Sequence, residues 1–136
     1  MKRLLILCLL TPVMSFAQDR PSLTGSEFRE LSEGHTLHFE DMTGRYFGSE
    51  QYFPDGKTLW RPRDGECERG VWAEDRGRIC FLYVVGLACW KLYRDGDDIT
   101  ALSANGDDAG IDEAPTRLRL RDRNQVPVSC DEVPSV

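Results

Sequence analysis

Beyond residue 17 the chain has no apolar run approaching the roughly 20 residues that a bilayer core demands, so no helical membrane span is expected there. It has no C-x-x-C pair, and its two histidines, His35 and His38, lie far upstream of Cys67, Cys80, Cys89 and Cys130. The usual zinc sites therefore have no ligand set to draw on, and no metal or other cofactor is expected. The same scarcity of histidine leaves a serine or cysteine nucleophile short of candidate bases. No strand–helix–strand rhythm is visible, which argues against a parallel α/β sheet, and no repeat persists beyond hairpin length. Positive charge is not in excess either: 17 Lys+Arg stand against 23 Asp+Glu, for a net charge of −6. An acidic chain gains nothing from counterion release on nucleic acid and is repelled by anionic lipid, so neither is an expected partner.

What is present starts with Met1-Lys2-Arg3, a short basic start, followed by the apolar run Leu4–Leu10 and then Ser15-Phe16-Ala17 before Gln18. Small residues at the two positions flanking a cut after Ala17 complete the pattern of a cleavable signal peptide over 1–17. A membrane anchor would need about twice that apolar length. A lipoprotein signal ending at Cys8 is disfavoured by the bulky Leu5-Ile6-Leu7 before it and by the short hydrophobic region it would leave. Cleavage removes Lys2 and Arg3 with no acidic residue, so the charge moves from −6 to −8. Residues 18–136 are then expected to form one domain with a modest core, periplasmic or secreted. Removal of Cys8 leaves Cys67, Cys80, Cys89 and Cys130, an even number, which in an exported small domain points to two disulfides.

Thr24 to Gly34 is the helical candidate, with Thr24 or Ser26 to cap it, Leu23, Phe28 and Leu31 near helical spacing and Gly34 to end it. Being short, it is expected to lie across one end or face of something larger. From His35 onward the texture is strand and tight turn. The candidate strands are 35–40, 46–53, 57–63, 66–73, 78–84, 88–94, 98–104 and 116–121, separated by Thr43-Gly44, Pro54-Asp55-Gly56, Asp64-Gly65, Asp75-Arg76-Gly77, Val85-Gly86 and Asp95-Gly96-Asp97. The fold expected is mainly β: an antiparallel meander of about eight short strands, closed into a small barrel or strongly curled to remove its edges, with one short N-terminal helix.

Alternation sorts the central strands into two faces. Placing two-residue turns at Asp75-Arg76 and Val85-Gly86 sets Trp72 opposite Ile79, Cys89 opposite Leu82 and Trp90 opposite Phe81. Cross-strand neighbours share a face, so Trp72, Ile79, Phe81, Tyr83, Trp90 and Leu92 form an aromatic face and Cys67, Cys80 and Cys89 a cysteine face. Both faces of 78–84 are apolar, which predicts a strand covered on both sides. Of the three possible disulfide pairings, the preferred one joins Cys80 to Cys89 within a hairpin and Cys67 to Cys130. The second bridge would pin a tail, Gln125–Ser129 and Val133-Pro134, that has little else to hold it. The other two pairings stay open to non-reducing peptide mapping.

The ordered pattern Gly34-His35-Thr36-Leu37, Gly48-Ser49-Glu50-Gln51-Tyr52-Phe53, Trp60, Gly65-Glu66-Cys67-Glu68-Arg69-Gly70-Val71-Trp72, Ile79-Cys80-Phe81-Leu82-Tyr83 and Cys89-Trp90 resembles a family of small exported proteobacterial proteins. The resemblance covers about residues 22–130. It implies a periplasmic or secreted β-rich domain and brings no activity or catalytic residues with it.

Several constellations invite a chemical role. His35 and His38, with Glu40 and Asp41 nearby, suggest a metal pair, but residues three apart in a strand point to opposite faces. Asn105–Glu113 is rich in oxygen ligands, yet its spacing matches neither the EF-hand nor the calcium nonapeptide repeat, and a solvated acidic loop is the expected state. Asp41, Glu50, Asp55, Glu66 and Glu68 could supply a carboxylate pair for a periplasmic hydrolase, though the sequence does not show which two would converge. No residue is assigned a catalytic role. Trp60, Trp72, Phe81, Tyr83 and Trp90 are the candidate ligand-binding residues, with Tyr46, Tyr52 and Tyr93 beside them, although aromatic stripes in strands are more often plain core. A small closed barrel sometimes holds an apolar ligand. The functional expectation is a non-enzymatic exported domain that binds a small apolar molecule or a protein partner. A hydrolase and a structural or envelope-stress accessory protein are the alternatives.

Overall fold

A computed structural model of the chain describes residues 20–104 and 114–130. The segments 1–17 and 105–113, to which the signal peptide and the calcium question belong, lie outside the described residues, as does Val133-Pro134. Among the described residues eight strands run in order: β1 (Thr36–Asp41), β2 (Tyr46–Tyr52), β3 (Lys57–Pro62), β4 (Glu68–Asp75), β5 (Arg78–Tyr83), β6 (Gly86–Asp95), β7 (Asp98–Ser103) and β8 (Arg117–Asn124). Each pairs antiparallel with its sequence neighbour, and β8 returns to β1, Thr36 facing Asn124, so the sheet is a closed barrel. Closure satisfies the backbone groups that an open meander would leave along two edges.

The two turns that set the central register fall one residue away from the positions expected. Asp75 pairs with Arg78, so the β4–β5 turn is Arg76-Gly77, not Asp75-Arg76. Both central residues take positive φ, 50° and 76°. A type I′ turn requires this of both, and only the choice of Arg76-Gly77 puts glycine in the second place. Likewise Tyr83 pairs with Gly86, so Val84-Val85 is the β5–β6 turn and Gly86 follows it. Trp72 therefore faces Phe81, Trp90 faces Ile79, and Cys89 faces Cys80 directly. Each slip moves a partner by two residues, an even step that leaves every side chain on its expected face.

The aromatic face is the barrel interior. Around the ring Leu37 faces Glu50, Glu50 faces Trp60, Trp60 faces Glu68, Phe81 faces Ala88, and Leu92 faces Ala101, which faces Leu118. Leu37, Ile79 and Leu92 are fully or almost fully buried. The outer face of β5 is not covered, contrary to the expectation for an all-apolar strand 78–84: Leu82 is 56% exposed, and Val84, which falls in the turn, is 98% exposed. A barrel has one inside, and the helix covers an end of it rather than this wall.

That helix, α1 (Gly25–Ser32), begins at a capping box in which Thr24 Oγ1 accepts from Glu27 N and Glu27 returns a bond to Thr24 N. Leu23 N donates to Leu92 O at 2.7 Å, and Gly34 N to Tyr52 O at 3.0 Å, so both flanks of the helix are tied to the barrel rim. Phe28, 1% exposed, drops into the end of the barrel and meets Trp72, Tyr52 and Phe81 edge-on, with ring centroids at 4.9, 5.4 and 6.2 Å. Edge-to-face pairs of this kind add to the free energy of burial itself.

Two disulfides are present, Cys80–Cys89 across the β5–β6 hairpin and Cys67–Cys130 joining the start of β4 to the tail. The tail has further tethers that sequence reading did not foresee. Thr36 Oγ1 donates to Val126 O at 2.7 Å, and Val128 N donates to Gln51 Oε1 at 3.0 Å.

Candidate functional site

The barrel is not solid. A cavity of about 450 Å³ lies inside it, walled by Phe39, Phe47, Tyr52, Trp60, Phe81, Tyr83, Trp90, Leu92 and Leu118 and floored by Phe28. It reaches the surface on the side of Arg63, Asp64 and Val85, which lie in the β3–β4 connection and the β5–β6 turn and are all exposed. Small residues make the room. Ala88 and Ala101 line the wall where a larger side chain would fill it. Two interior glycines let rings lie flat on the sheet: a Cβ on Gly48 would stand 2.2 Å from the Trp60 ring, and one on Gly70 would stand 2.7 Å from the Tyr83 ring. A glycine inside a strand marks such a close approach.

One charged group sits deep in this wall. Glu50 is 4% exposed, on the same inward phase of β2 as Gly48 and Tyr52. Tyr83 Oη donates to its Oε1 at 2.6 Å, and Tyr52 Oη to its Oε2 at 3.2 Å. Burial pushes the Glu50 carboxyl up to about 7, against the three hydroxyls of Tyr83, Thr58 and Tyr52, which favour the charged form. Burial and the Glu50 charge together raise both tyrosines above the ordinary phenol range. Thr58, 2% exposed, is close enough to act on Glu50 and Tyr83, yet its Oγ1 meets neither with hydrogen-bond geometry. Glu68 also lines the cavity, near enough to Tyr83 to raise it further.

Of the five aromatic residues singled out in the sequence, Trp60, Phe81, Tyr83 and Trp90 line the cavity. Trp72 does not; it lies beneath the helix, against Phe28, with the Arg29 guanidinium 4.9 Å from its ring centre. Tyr52 lines the cavity as well, whereas Tyr46 holds Ser49 Oγ at 2.7 Å. Of the five carboxylates, Glu50 and Glu68 reach the interior. Asp41 instead organises its own turn, where the Thr43 hydroxyl, opposed in part by desolvation, and then Arg45 hold it below the usual carboxylate range. Asp55 and Glu66 are exposed.

The histidines keep separate company. His35 Nδ1 lies 2.9 Å from Glu33 O, while His38 Nδ1 lies 2.6 Å from Ser49 Oγ and its Nε2 3.0 Å from Asn124 Nδ2. The Asn124 amide donates to Nε2, so the His38 proton sits on Nδ1 and points at Ser49. That is the reverse of what a base for a serine nucleophile requires, and Ser49 is 5% exposed. Among the described residues no group of three or more His, Cys, Asp or Glu is placed to hold a metal ion.

Sequence reasoning missed the pairing of Glu50 with Tyr83 and the roles of Phe47 and Ala88. One signal was readable: Glu50 shares the inward phase of Gly48 and Tyr52, so alternation alone sets it on the aromatic side. Compared with protein-family models, with curated proteins and with solved structures, the chain finds no match.

Proposed function

We propose that this protein is an exported, disulfide-bonded barrel whose role is to bind a small, mainly apolar molecule in its interior without transforming it. The observation that carries this reading is the cavity of about 450 Å³, walled by rings from β2, β3, β5 and β6 and open at one end. A ligand pocket has this make-up: a largely apolar surface with a few convergent polar groups. The two disulfides fit an oxidising compartment, as does the signal-like segment 1–17. The test is titration with N-phenyl-1-naphthylamine, a neutral apolar fluorophore, following its emission and tryptophan quenching. Saturable binding is expected in the parent protein. Loss of it is expected in Ala88→Trp, which fills the wall opposite Phe81, provided far-UV circular dichroism is unchanged. Absence of saturable binding in the parent would remove the reading.

One observation favours a protein partner as a second reading. On the outer wall Val71, Leu82 and Leu87 are cross-strand neighbours and all exposed, and Val84 and Val85 extend the patch at the turn. Contiguous exposed apolar surface marks contact sites. Self-association seen in sedimentation velocity and abolished by Leu82→Asp would support this reading, and identical monomeric profiles for both chains would speak against a self-contact.

A further inference from the structure

A carboxylate inside an apolar vessel is costly unless something compensates it. Among the described residues the groups that hydrogen-bond toward Glu50 or favour its charge are neutral hydroxyls, those of Tyr83, Thr58 and Tyr52, and two of them bond one oxygen each. A carboxylate offers about four lone-pair positions, so acceptor capacity remains after these bonds. The rings of Phe47, Trp60, Phe81, Tyr83 and Trp90 line the same cavity, and aromatic faces attract a cation through their quadrupoles. The rest of the lining has the same sign: Glu50, Asp64 and Glu68 stand against the single guanidinium of Arg63, which is already paired with Asp64 at 2.8 Å.

From the buried Glu50 carboxylate and the rings around it we infer that the cavity selects ligands with an ammonium head on an apolar body, the head seated on Glu50. This rests on the ligand-binding reading above and names the chemical class of its ligand. The aromatic walls take the body. Tyr83 and Tyr52 hold the carboxylate in place as an acceptor, and Glu68 adds to the attraction. Fatty acids and other anionic amphiphiles are excluded by the same charges.

Proton balance follows from the geometry. Without a ligand, Glu50 shares its surroundings with Tyr52, Thr58, Tyr83 and Glu68, and no cation among the described residues acts on it, so it is partly protonated near neutral pH. When an ammonium arrives, the carboxyl gives its proton to solvent and the ion pair forms in its place. Affinity therefore rises with pH through about 7, and binding below that point releases up to about one proton.

The test is calorimetric titration of the oxidised protein with three molecules that differ only in the head: 2-naphthylmethylamine, 2-naphthylmethanol and 2-naphthoate. The amine is expected to bind about tenfold more tightly than the alcohol at pH 8, a margin typical of a hydrogen bond to a charged group, and naphthoate most weakly. Proton release should show as a dependence of the measured heat on buffer ionisation enthalpy. Glu50→Gln should remove the preference for the amine and leave the alcohol's affinity nearly unchanged. Tyr83→Phe, which withdraws one bond to the charged form, should move the pH midpoint for amine binding upward, and it decides the matter if Glu50→Gln does not fold. Equal binding of all three, or tightest binding of naphthoate, would overturn the inference while leaving the cavity reading intact. Binding of none would overturn both.

Discussion

Glu50 concentrates the energetic tension of the molecule at one residue. Its carboxyl ionises near 4.5 in an unfolded chain and near 7 in the barrel, because burial disfavours the charge more than the hydroxyls favour it. Between those values the folded state holds more of the proton than the unfolded state does, so stability falls as pH rises. The loss is absent below about 4.5 and complete above about 7. A shift of that size corresponds to roughly 3 kcal/mol at full ionisation. Glu50→Gln is therefore expected to be more stable than the parent at pH 8 and nearly equal to it at pH 4.5, as read by thermal unfolding across that range. A parallel pH profile in the variant would show that Glu50 is not the group responsible. Gly70 carries a second residue-scale consequence. A Cβ there would meet the Tyr83 ring and Leu82 O, at 2.7 and 2.9 Å, so Gly70→Ala should cost about 1–3 kcal/mol by overpacking. Because the Tyr83 ring it would displace lines the cavity, Gly70→Ala should also weaken binding of the naphthylamine fluorophore, as read by the same emission titration.

At the scale of elements, the helix acts as a stopper. Its capping box fixes where it starts, but its place depends on Phe28, which three rings of the barrel surround. Phe28→Ala should cost about 3–5 kcal/mol, the usual range for an emptied aromatic site in a core, and should open the floor of the cavity. Thr24→Ala removes only the cap, at about 1 kcal/mol, and leaves the floor closed. Urea unfolding of the two variants separates the contributions, and probe titration reports the floor. Equal losses from both would mean that Phe28 does not anchor the helix.

At the scale of the whole molecule, closure and the two bridges divide the work of holding the chain together. Cys80–Cys89 reinforces a hairpin that its register already aligns, over a separation of 9 residues, whereas Cys67–Cys130 spans 63 and ties the tail across the barrel. On a chain-entropy account the long closure contributes about 4.3 kcal/mol and the short one about 2.6. Replacing Cys67 and Cys130 together by serine should therefore lower the urea midpoint more than replacing Cys80 and Cys89. The reverse order would point to native-state strain or residual structure in the unfolded chain.

Much of this architecture is legible in the sequence. Period-two alternation from Cys67 to Leu92 assigned the aromatic and cysteine faces, and these survived two misplaced turns because each slip was even. The even cysteine count and the hairpin length pointed to the bridges that form. Asp75-Arg76-Gly77 holds two overlapping two-residue turns, and the one that forms has glycine in the second place, where a type I′ turn takes positive φ. The exposed outer face of β5 was missed because apolar alternation cannot tell which side a partner will cover. The order of local elements, their faces and the acidic balance were thus determined by the sequence itself, since alternation, caps and turns act over a few residues. Tertiary structure alone decided that Glu50, Trp60, Phe81, Tyr83 and Trp90 would share one chamber, and that Trp72 would lie under the helix instead. Those residues belong to four strands and meet only when β8 closes onto β1, and local periodicity carries no information about that closure.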